Sequence, residues 1–183
     1  MEIDTETAIL DAAAVLLETQ GHDGLTTRAV CERAGVKAPT LYHHFGDKEG
    51  LERALIQRGL AEFMRRKRAP RGVEQPLQAL RFGWDVAVQF ALEQPALSAL
   101  FARHVLAQPE LVAEPYAVMR GHVQRLVDTG SFRPPVDAAA RAVWAASQGV
   151  IALARPGARR KEVEETSELI FDAVVAALST RSA

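Results

Sequence analysis

The side chains that could do chemistry lie close together, in a stretch that reads Ala-Pro-Thr-Leu-Tyr-His-His-Phe-Gly-Asp-Lys from residue 38 to residue 48. Small, aromatic and basic residues stand here, where a core helix would carry leucines. Side chains that could meet base edges occur at Ala38, Pro39, Thr40, Tyr42 and His43. Groups that could contact phosphates bracket them at Thr27, Arg28, Lys37 and Lys48. The pattern predicts a helix that lies in the major groove of DNA.

The punctuation of the chain predicts the elements that position this helix. Gly21 and Gly24 end a first amphipathic helix, and Thr26 can cap a second one. Gly35 turns the chain into the third helix, and Asp47 caps a fourth. A helix-turn-helix places the second helix of the pair in the major groove while the first crosses the backbone. The second and third helices have this arrangement.

Helical spacing continues beyond a Pro/Gly/Arg stretch at residues 70–72, and no alternating strand pattern is found. Five more helices are expected, at about residues 74–93, 95–107, 110–129, 138–154 and 161–179, with Pro115 as a candidate break in the third of them. The expected fold class is all-α, with about nine helices. The expected domains are a DNA-binding domain at residues 1–47, a linking helix at 48–68 and a helical body at 69–183.

The helices expected at residues 138–154 and 161–179 carry apolar residues over broad surfaces. A helix that is apolar on nearly every side is buried on more than one face. Two such helices at the end of a short chain favour a homodimer packed through them. The alternative is that both helices fill the core of a single monomer.

Composition restricts the possible classes of protein. The formal net charge is −1, so any DNA-facing positive surface must be local, and no acid occurs between Glu32 and Asp47. The lone cysteine, Cys31, excludes a disulfide framework and is expected to be a buried small hydrophobe. No metal or cofactor is expected. The adjacent histidines His43 and His44 point in different directions on a helix and so cannot both bind one metal ion. The sequence shows no secretory signal or membrane-spanning stretch, which favours a soluble, cytoplasmic protein.

Residues 5–64 resemble the N-terminal domain of the TetR family of bacterial transcriptional regulators. The resemblance is carried by Thr-Leu-Tyr-His-His-Phe-Gly-Asp-Lys-Glu at residues 40–49, preceded by Leu-Thr-Thr-Arg and Ala-Gly-Val at matching distances. It implies that Thr27 and Tyr42 contact phosphates and that Arg28 reaches a base edge or a phosphate. It also implies that Lys48 anchors the DNA backbone, while Thr40 and Pro39 touch bases.

Three positions depart from the family pattern. Lys37 stands where the family often has a capping serine or threonine, and the loss of such a cap costs about 1 kcal/mol. Ala38 stands where a polar reader is common and can offer only a methyl contact, so hydrogen-bonded reading falls to Arg28, Thr40 and His43. Residues 144–149 resemble a Trp-x-x-x-His-Gly signature of one subgroup, with Gln148 in place of the histidine.

The resemblance further implies that a small-molecule effector binds between helices of the body, which would be an effector-binding and dimerisation domain. Aromatic and isolated polar residues suited to such a site are Trp84, Phe101, His104, Met119, His122, Trp144 and Gln148. Cations such as Arg81, Arg103 and Arg120 are compatible with an acidic group on the ligand, and solvated helix faces explain these arginines equally well.

The expected function is that of a ligand-responsive transcriptional regulator, a repressor released from a palindromic double-stranded DNA operator by its effector. The alternative is a dimer that binds DNA or a protein partner and responds to no ligand. An enzyme is not expected, since the chain has no nucleophile elbow, phosphate-binding glycine loop or metal-binding carboxylate cluster.

Overall fold

A computed structural model describes residues 4–68, 75–105, 107–133 and 135–180 of the chain. Within these ranges the chain forms nine α-helices, which confirms the expected all-α class. They are α1 (Thr5–Gly24), α2 (Thr27–Ala34), α3 (Ala38–Phe45), α4 (Lys48–Lys67), α5 (Pro76–Glu93), α6 (Pro95–Val105), α7 (Ala113–Asp128), α8 (Val136–Ile151) and α9 (Arg160–Leu178). The boundary expected at residues 70–72 lies outside the described residues.

The predicted start and stop signals are found where the sequence placed them. Gly21 breaks α1 with φ 70°, and Gly35 ends α2 in the left-handed conformation with φ 69°. The hydroxyl of Thr26 accepts a hydrogen bond from the amide of Ala29 at the start of α2, at 3.2 Å. The capping hydroxyl satisfies an amide that has no partner within the helix, and the glycines allow the backbone to leave the helical conformation.

The helix predicted at residues 110–129 differs from expectation. A short 3₁₀ turn at Pro109–Val112 precedes α7, which begins at Ala113 and is not broken at Pro115. Pro115 lies in the first turn of α7, where the missing N–H would have no partner within the helix.

Two hydrophobic cores hold the helices together. The N-terminal core is built by α1 to α4 and also takes in Ala96, Leu97 and Leu100 of α6. The second core is built by α5, α7, α8 and α9. The N-terminal core therefore extends past the expected domain boundary, because α6 lies in the body by chain order but packs its buried residues into the N-terminal core.

Polar contacts reinforce the attachment of α6 to α1. The carboxylate of Glu18 on α1 accepts hydrogen bonds from the amides of Ala96 and Leu97, at 3.3 and 3.0 Å. These amides lie at the start of α6, where they have no partner within the helix. Among the described residues, no helix is both long enough and apolar enough to cross a membrane.

Candidate DNA interface and ligand cavity

Helix α3 is seated on the N-terminal core by its apolar side. Leu41 is fully buried, and Phe45 packs against the same core, as the sequence predicts for both residues. Most of the remaining side chains of α3 face solvent, with Tyr42 48% exposed and Thr40 half-buried. The helix is therefore held by its inner side and offers its outer side to a partner.

The junction between α3 and α4 is set by Asp47 and Gly50. The carboxylate of Asp47 accepts a hydrogen bond from the amide of Gly50 at 2.7 Å and so caps α4, as predicted. A Cβ atom at Gly50 would overlap the carbonyl oxygen of Phe45, so no other residue fits here without a backbone shift. Glycine at this position allows α4 to begin directly against the end of α3, which fixes Lys48 beside that helix.

The structure brings the nine predicted DNA-contacting residues together along the start of α2, the length of α3 and the start of α4. Thr27, Thr40 and Lys48 are half-buried. The exposed members are Arg28, Lys37, Ala38, Pro39, Tyr42 and His43. Lys37 occupies the N-cap of α3 without a side-chain hydrogen bond, in agreement with the expected loss of a cap. The contacts of these residues with DNA stay a prediction.

Two of the predicted cations have acidic neighbours on their own helix. The guanidinium of Arg28 donates to the carboxylate of Glu32 at 2.9 Å, and both side chains are exposed. The ammonium of Lys48 lies 3.8 Å from the carboxylate of Glu52. An exposed ion pair such as Arg28–Glu32 contributes little to stability, because water screens both charges. Phosphates can therefore compete with Glu32 for Arg28 at little cost.

Cys31 is buried in the N-terminal core, as the sequence predicts. Burial raises the pKa of its thiol, and the negative charge of Glu32 raises it further. Because the thiolate is the reactive form, a raised pKa leaves Cys31 unreactive near neutral pH. Its role is to fill the space between α2 and the rest of the core.

A partly open cavity of about 230 Å³ is lined by residues of α4, α5, α6, α7 and α8. Most of its wall is apolar, with several aromatic rings. The predicted residues that line it are Trp84, Phe101, Met119, His122, Trp144 and Gln148. Phe63, Ser98 and Ser147 also line it, and the sequence does not single them out. A mostly apolar cavity with a few polar groups is typical of a small-molecule site.

His104 does not line the cavity, and this part of the sequence prediction is corrected. Leu97, Phe101 and Val105 give the cavity face of α6, whereas Leu100 is buried in the N-terminal core. His104 stands one turn after Leu100 and so points toward the N-terminal helices. Its Nε2 atom lies 3.5 Å from the carboxylate of Glu52.

Glu52 is a buried acid that sequence reasoning missed. It is 6% exposed, and its carboxylate accepts a hydrogen bond from His22 at 2.9 Å in addition to its contacts with Lys48 and His104. The carboxylate thus joins α1, α4 and α6. The signal was its helical position, because residue 52 shares a face with the apolar residues Leu55 and Ile56.

Lys67 is the second residue that sequence reasoning missed. From the sequence, the basic run at residues 65–71 is expected to be a solvated hinge or an interdomain salt-bridge surface rather than a DNA contact, and residues 69–71 lie outside the described residues. Arg65 and Arg66 do pair with Glu62, and Arg66 also pairs with Glu93 of α5 at 2.5 Å. Lys67 is different, since it is only 8% exposed and lines the cavity.

Comparison with known proteins connects this architecture to a family. Residues 9–55 match the family model described as "Bacterial regulatory proteins, tetR family". Tetracycline repressor protein class A from transposon 1721 of Escherichia coli is 50% identical over 54 residues, which are 30% of this chain and 25% of that protein. The HTH-type transcriptional regulator UidR of Escherichia coli strain K12 is 38% identical over 63 residues, which are 32% of each chain.

The structural similarity extends much further along the chain than the sequence similarity. A TetR family transcriptional regulator, PfmR from Thermus thermophilus, superposes with a TM-score of 0.73 and covers 92% of this chain and 97% of its own, at 24% identity. The alignments with the two curated relatives, by contrast, span only a quarter to a third of their lengths.

The helix-turn-helix faces outward and is joined to a helical body that contains a cavity. This arrangement is that of a DNA-binding protein of the helix-turn-helix class. Residues 9–55 are thus similar in sequence to the N-terminal domain of the TetR family, and the helices that the structure describes share their fold with a TetR family regulator. The relatives named above are regulators and not enzymes.

Proposed function

We propose that this protein is a ligand-responsive transcriptional repressor, which binds a palindromic operator as a homodimer and releases it when a small molecule fills the cavity. The observation that carries the proposal is the position of α4 and α6. Both helices line the cavity and both contribute to the N-terminal core that holds α3. A ligand in the cavity therefore acts on the same helices that position the DNA-contacting surface.

Contact between α4 and α6 supports this coupling. Ile56 and Leu97 belong to the N-terminal core and also line the cavity. A Cβ atom at Gly59 would lie 2.5 Å from a methyl group of Leu97, so the two helices meet closely. A ligand that prefers one arrangement of these helices lowers the population of the other and, by linkage, changes DNA affinity.

The exposed faces of α8 and α9 support the homodimer. Small residues recur at helical spacing on the exposed side of α8, at Ala142, Ala145 and Gly149. On α9, Leu169 is 68% exposed and Ala173 and Ala176 follow it on the same side. Apolar helix faces left in water are typical of interfaces. A twofold dimer would present two α3 helices to half-sites about one helical turn, or a multiple of it, apart.

The test of DNA binding is a selection of bound fragments from bacterial promoter DNA, followed by measurement of affinity for the enriched sequence. A palindromic sequence bound with an affinity that far exceeds that for scrambled DNA supports the proposal. Equal affinity for both sequences contradicts it. The ligand arm is measured on the same operator, since a compound that occupies the cavity should weaken operator binding.

Replacing Lys48 by alanine is expected to weaken binding to operator and scrambled DNA alike, by about tenfold at 100 mM salt, because a phosphate contact carries no sequence information. The slope of log affinity against log salt should become shallower by about 2 for a dimer, one phosphate per subunit. Lys161→Ala is the matched control, because Lys161 is exposed at the start of α9. Unequal loss on the two DNAs would contradict the phosphate role of Lys48.

Replacing Thr40 by alanine is expected to relax sequence preference at one base pair of each half-site, with little effect on scrambled DNA. The hydroxyl of Thr40 is a hydrogen-bonding group on α3, and loss of one base contact costs about 1–3 kcal/mol of discrimination. Selection from a randomised operator with wild-type and variant protein measures the change. An unchanged preference at every position would remove Thr40 from the base-contacting set.

A further inference from the structure

The wall of the cavity contains a buried ammonium group. The side chain of Lys67 lies in the same helical row of α4 as Ile56, Leu60 and Phe63, all of which line the cavity. Its Nζ atom donates to the carbonyl oxygen of Pro115 at 3.2 Å and lies 5.4 Å from the centre of the Phe63 ring. Gly83 of α5 faces the same side chain, and a Cβ atom there would stand 3.2 Å from Cε of Lys67.

The charge of Lys67 has no counter-ion among the residues that the structure describes. No carboxylate in this part of the chain lies within 4.0 Å of its Nζ atom. An ammonium group has three donors, and one carbonyl acceptor accounts for only one of them. Buried charges in proteins are normally paired, because an isolated charge loses its hydration without compensation. The cavity thus offers a cation that is suited to an anion from outside the chain.

The nearby polar group, His122, is also a donor. It lines the cavity, and the guanidinium of Arg125 lies 2.5 Å from its Nδ1 atom. A guanidinium can only donate, so Nδ1 accepts and the single proton of the neutral ring is on Nε2. Burial lowers the pKa of His122, and the charges of Arg125 and Lys67 lower it further, which keeps the ring neutral. His122 can therefore donate a hydrogen bond to a ligand. Because its ring is neutral, it is not a counter-ion for Lys67.

We propose that the cavity binds an amphipathic organic acid, with its anionic group on Lys67 and a hydrogen bond from His122. The apolar part of the acid packs among the aromatic side chains Trp84, Phe101 and Trp144. This inference rests on the proposed function, because it names the chemical class of the effector. A volume of about 230 Å³ favours a small acid, since drug-sized ligands occupy pockets of about 300–1,000 Å³.

The test compares 4-phenylbutyrate with 4-phenylbutanamide, which have the same shape and differ in charge. Both tryptophans of the chain, Trp84 and Trp144, line the cavity, so intrinsic fluorescence reports its occupancy. We expect the acid to bind about 30-fold more tightly than the amide, the usual effect of a charge-assisted hydrogen bond in a buried site. Lys67→Met should abolish this preference, and Lys161→Met, which removes an exposed lysine of α9, should retain it.

Three outcomes overturn the proposal: equal affinity for acid and amide, no binding of the acid at about 10 mM, where even weak ligands register, or an acid preference that survives in Lys67→Met. The failure of the proposed function is a separate result, because the fluorescence titration contains no DNA. If the acid is preferred but leaves operator affinity unchanged, the anion site stands and ligand-responsive repression fails. If acid and amide bind equally and both release the operator, repression stands and the anion site fails.

Discussion

Lys67→Met is expected to raise the free energy of unfolding at pH 7 by about 3 kcal/mol, although it removes the hydrogen bond to the carbonyl oxygen of Pro115. Burial lowers the pKa of Lys67 from 10.5 to about 8. A shift of this size means that the folded protein holds the ammonium at a cost of about 3 kcal/mol relative to the unfolded chain. Methionine has a similar length and no charge, so it removes this cost while it keeps the apolar contacts.

The pH dependence gives the stricter form of this prediction. Below pH 8 both states carry the proton, and the full cost is present in the wild-type protein. Between pH 8 and pH 10.5 the unfolded chain binds more protons than the folded one, so wild-type stability rises with pH. The advantage of the variant should therefore fall to about 1 kcal/mol or less at pH 10.

Urea unfolding at pH 7 and pH 10, at one protein concentration, measures both effects. The concentration must be fixed because subunit association adds to apparent stability. Lys37→Met is the control, since Lys37 is exposed and its removal should change stability by less than about 0.5 kcal/mol. A variant less stable than wild type at pH 7 would show that the buried ammonium is not a net cost.

Glu52→Ala is expected to lower the free energy of unfolding by about 3 kcal/mol. Its carboxylate is buried among Lys48, His22 and His104, and removal of one partner leaves the others without their acceptor. The loss of a buried partner costs more than the net value of the contact, because the remaining polar groups stay desolvated. Glu49→Ala is the control on the same helix, with an exposed carboxylate 4.0 Å from Arg53.

Double-mutant cycles can separate the two histidine contacts of Glu52. We expect a larger coupling energy with His22, at 2.9 Å, than with His104, at 3.5 Å. A nonzero coupling with His104 would show that the carboxylate links α4 to α6 energetically. Additive effects of Glu52→Ala and His104→Gln would contradict that link.

The DNA-contacting surface can be predicted from the sequence because the signals that define it are local. Caps at Thr26 and Asp47 and the turn at Gly35 depend on residues within one helical turn, and the family resemblance covers this same region. Which side of α6 faces the cavity cannot be predicted in this way. Residue type alone places His104 in the cavity, whereas its direction follows from the packing of Leu100 against α1 to α4.

Lys67 and Glu52 show a second limit of sequence reasoning. Each is a charged residue on the buried side of α4, and charged residues usually lie in water. The basic neighbours Arg65 and Arg66 strengthen that expectation for Lys67. The helical row of Ile56, Leu60 and Phe63 indicates instead that Lys67 is buried. This indication becomes decisive only when it is known that α5 and α7 pack over this side of α4.

The contribution of α6 to the N-terminal core has a consequence for engineering. Chimaeric regulators are made by moving an N-terminal DNA-recognition segment onto a foreign sensor. A graft cut after α4 would leave behind Ala96, Leu97 and Leu100, and with them part of the hydrophobic support of the transplanted helices. Transfer of this DNA-binding domain to another sensor therefore requires that the recipient supply a matching α6 surface. The DNA-binding domain and the first part of the sensor domain have to be moved together.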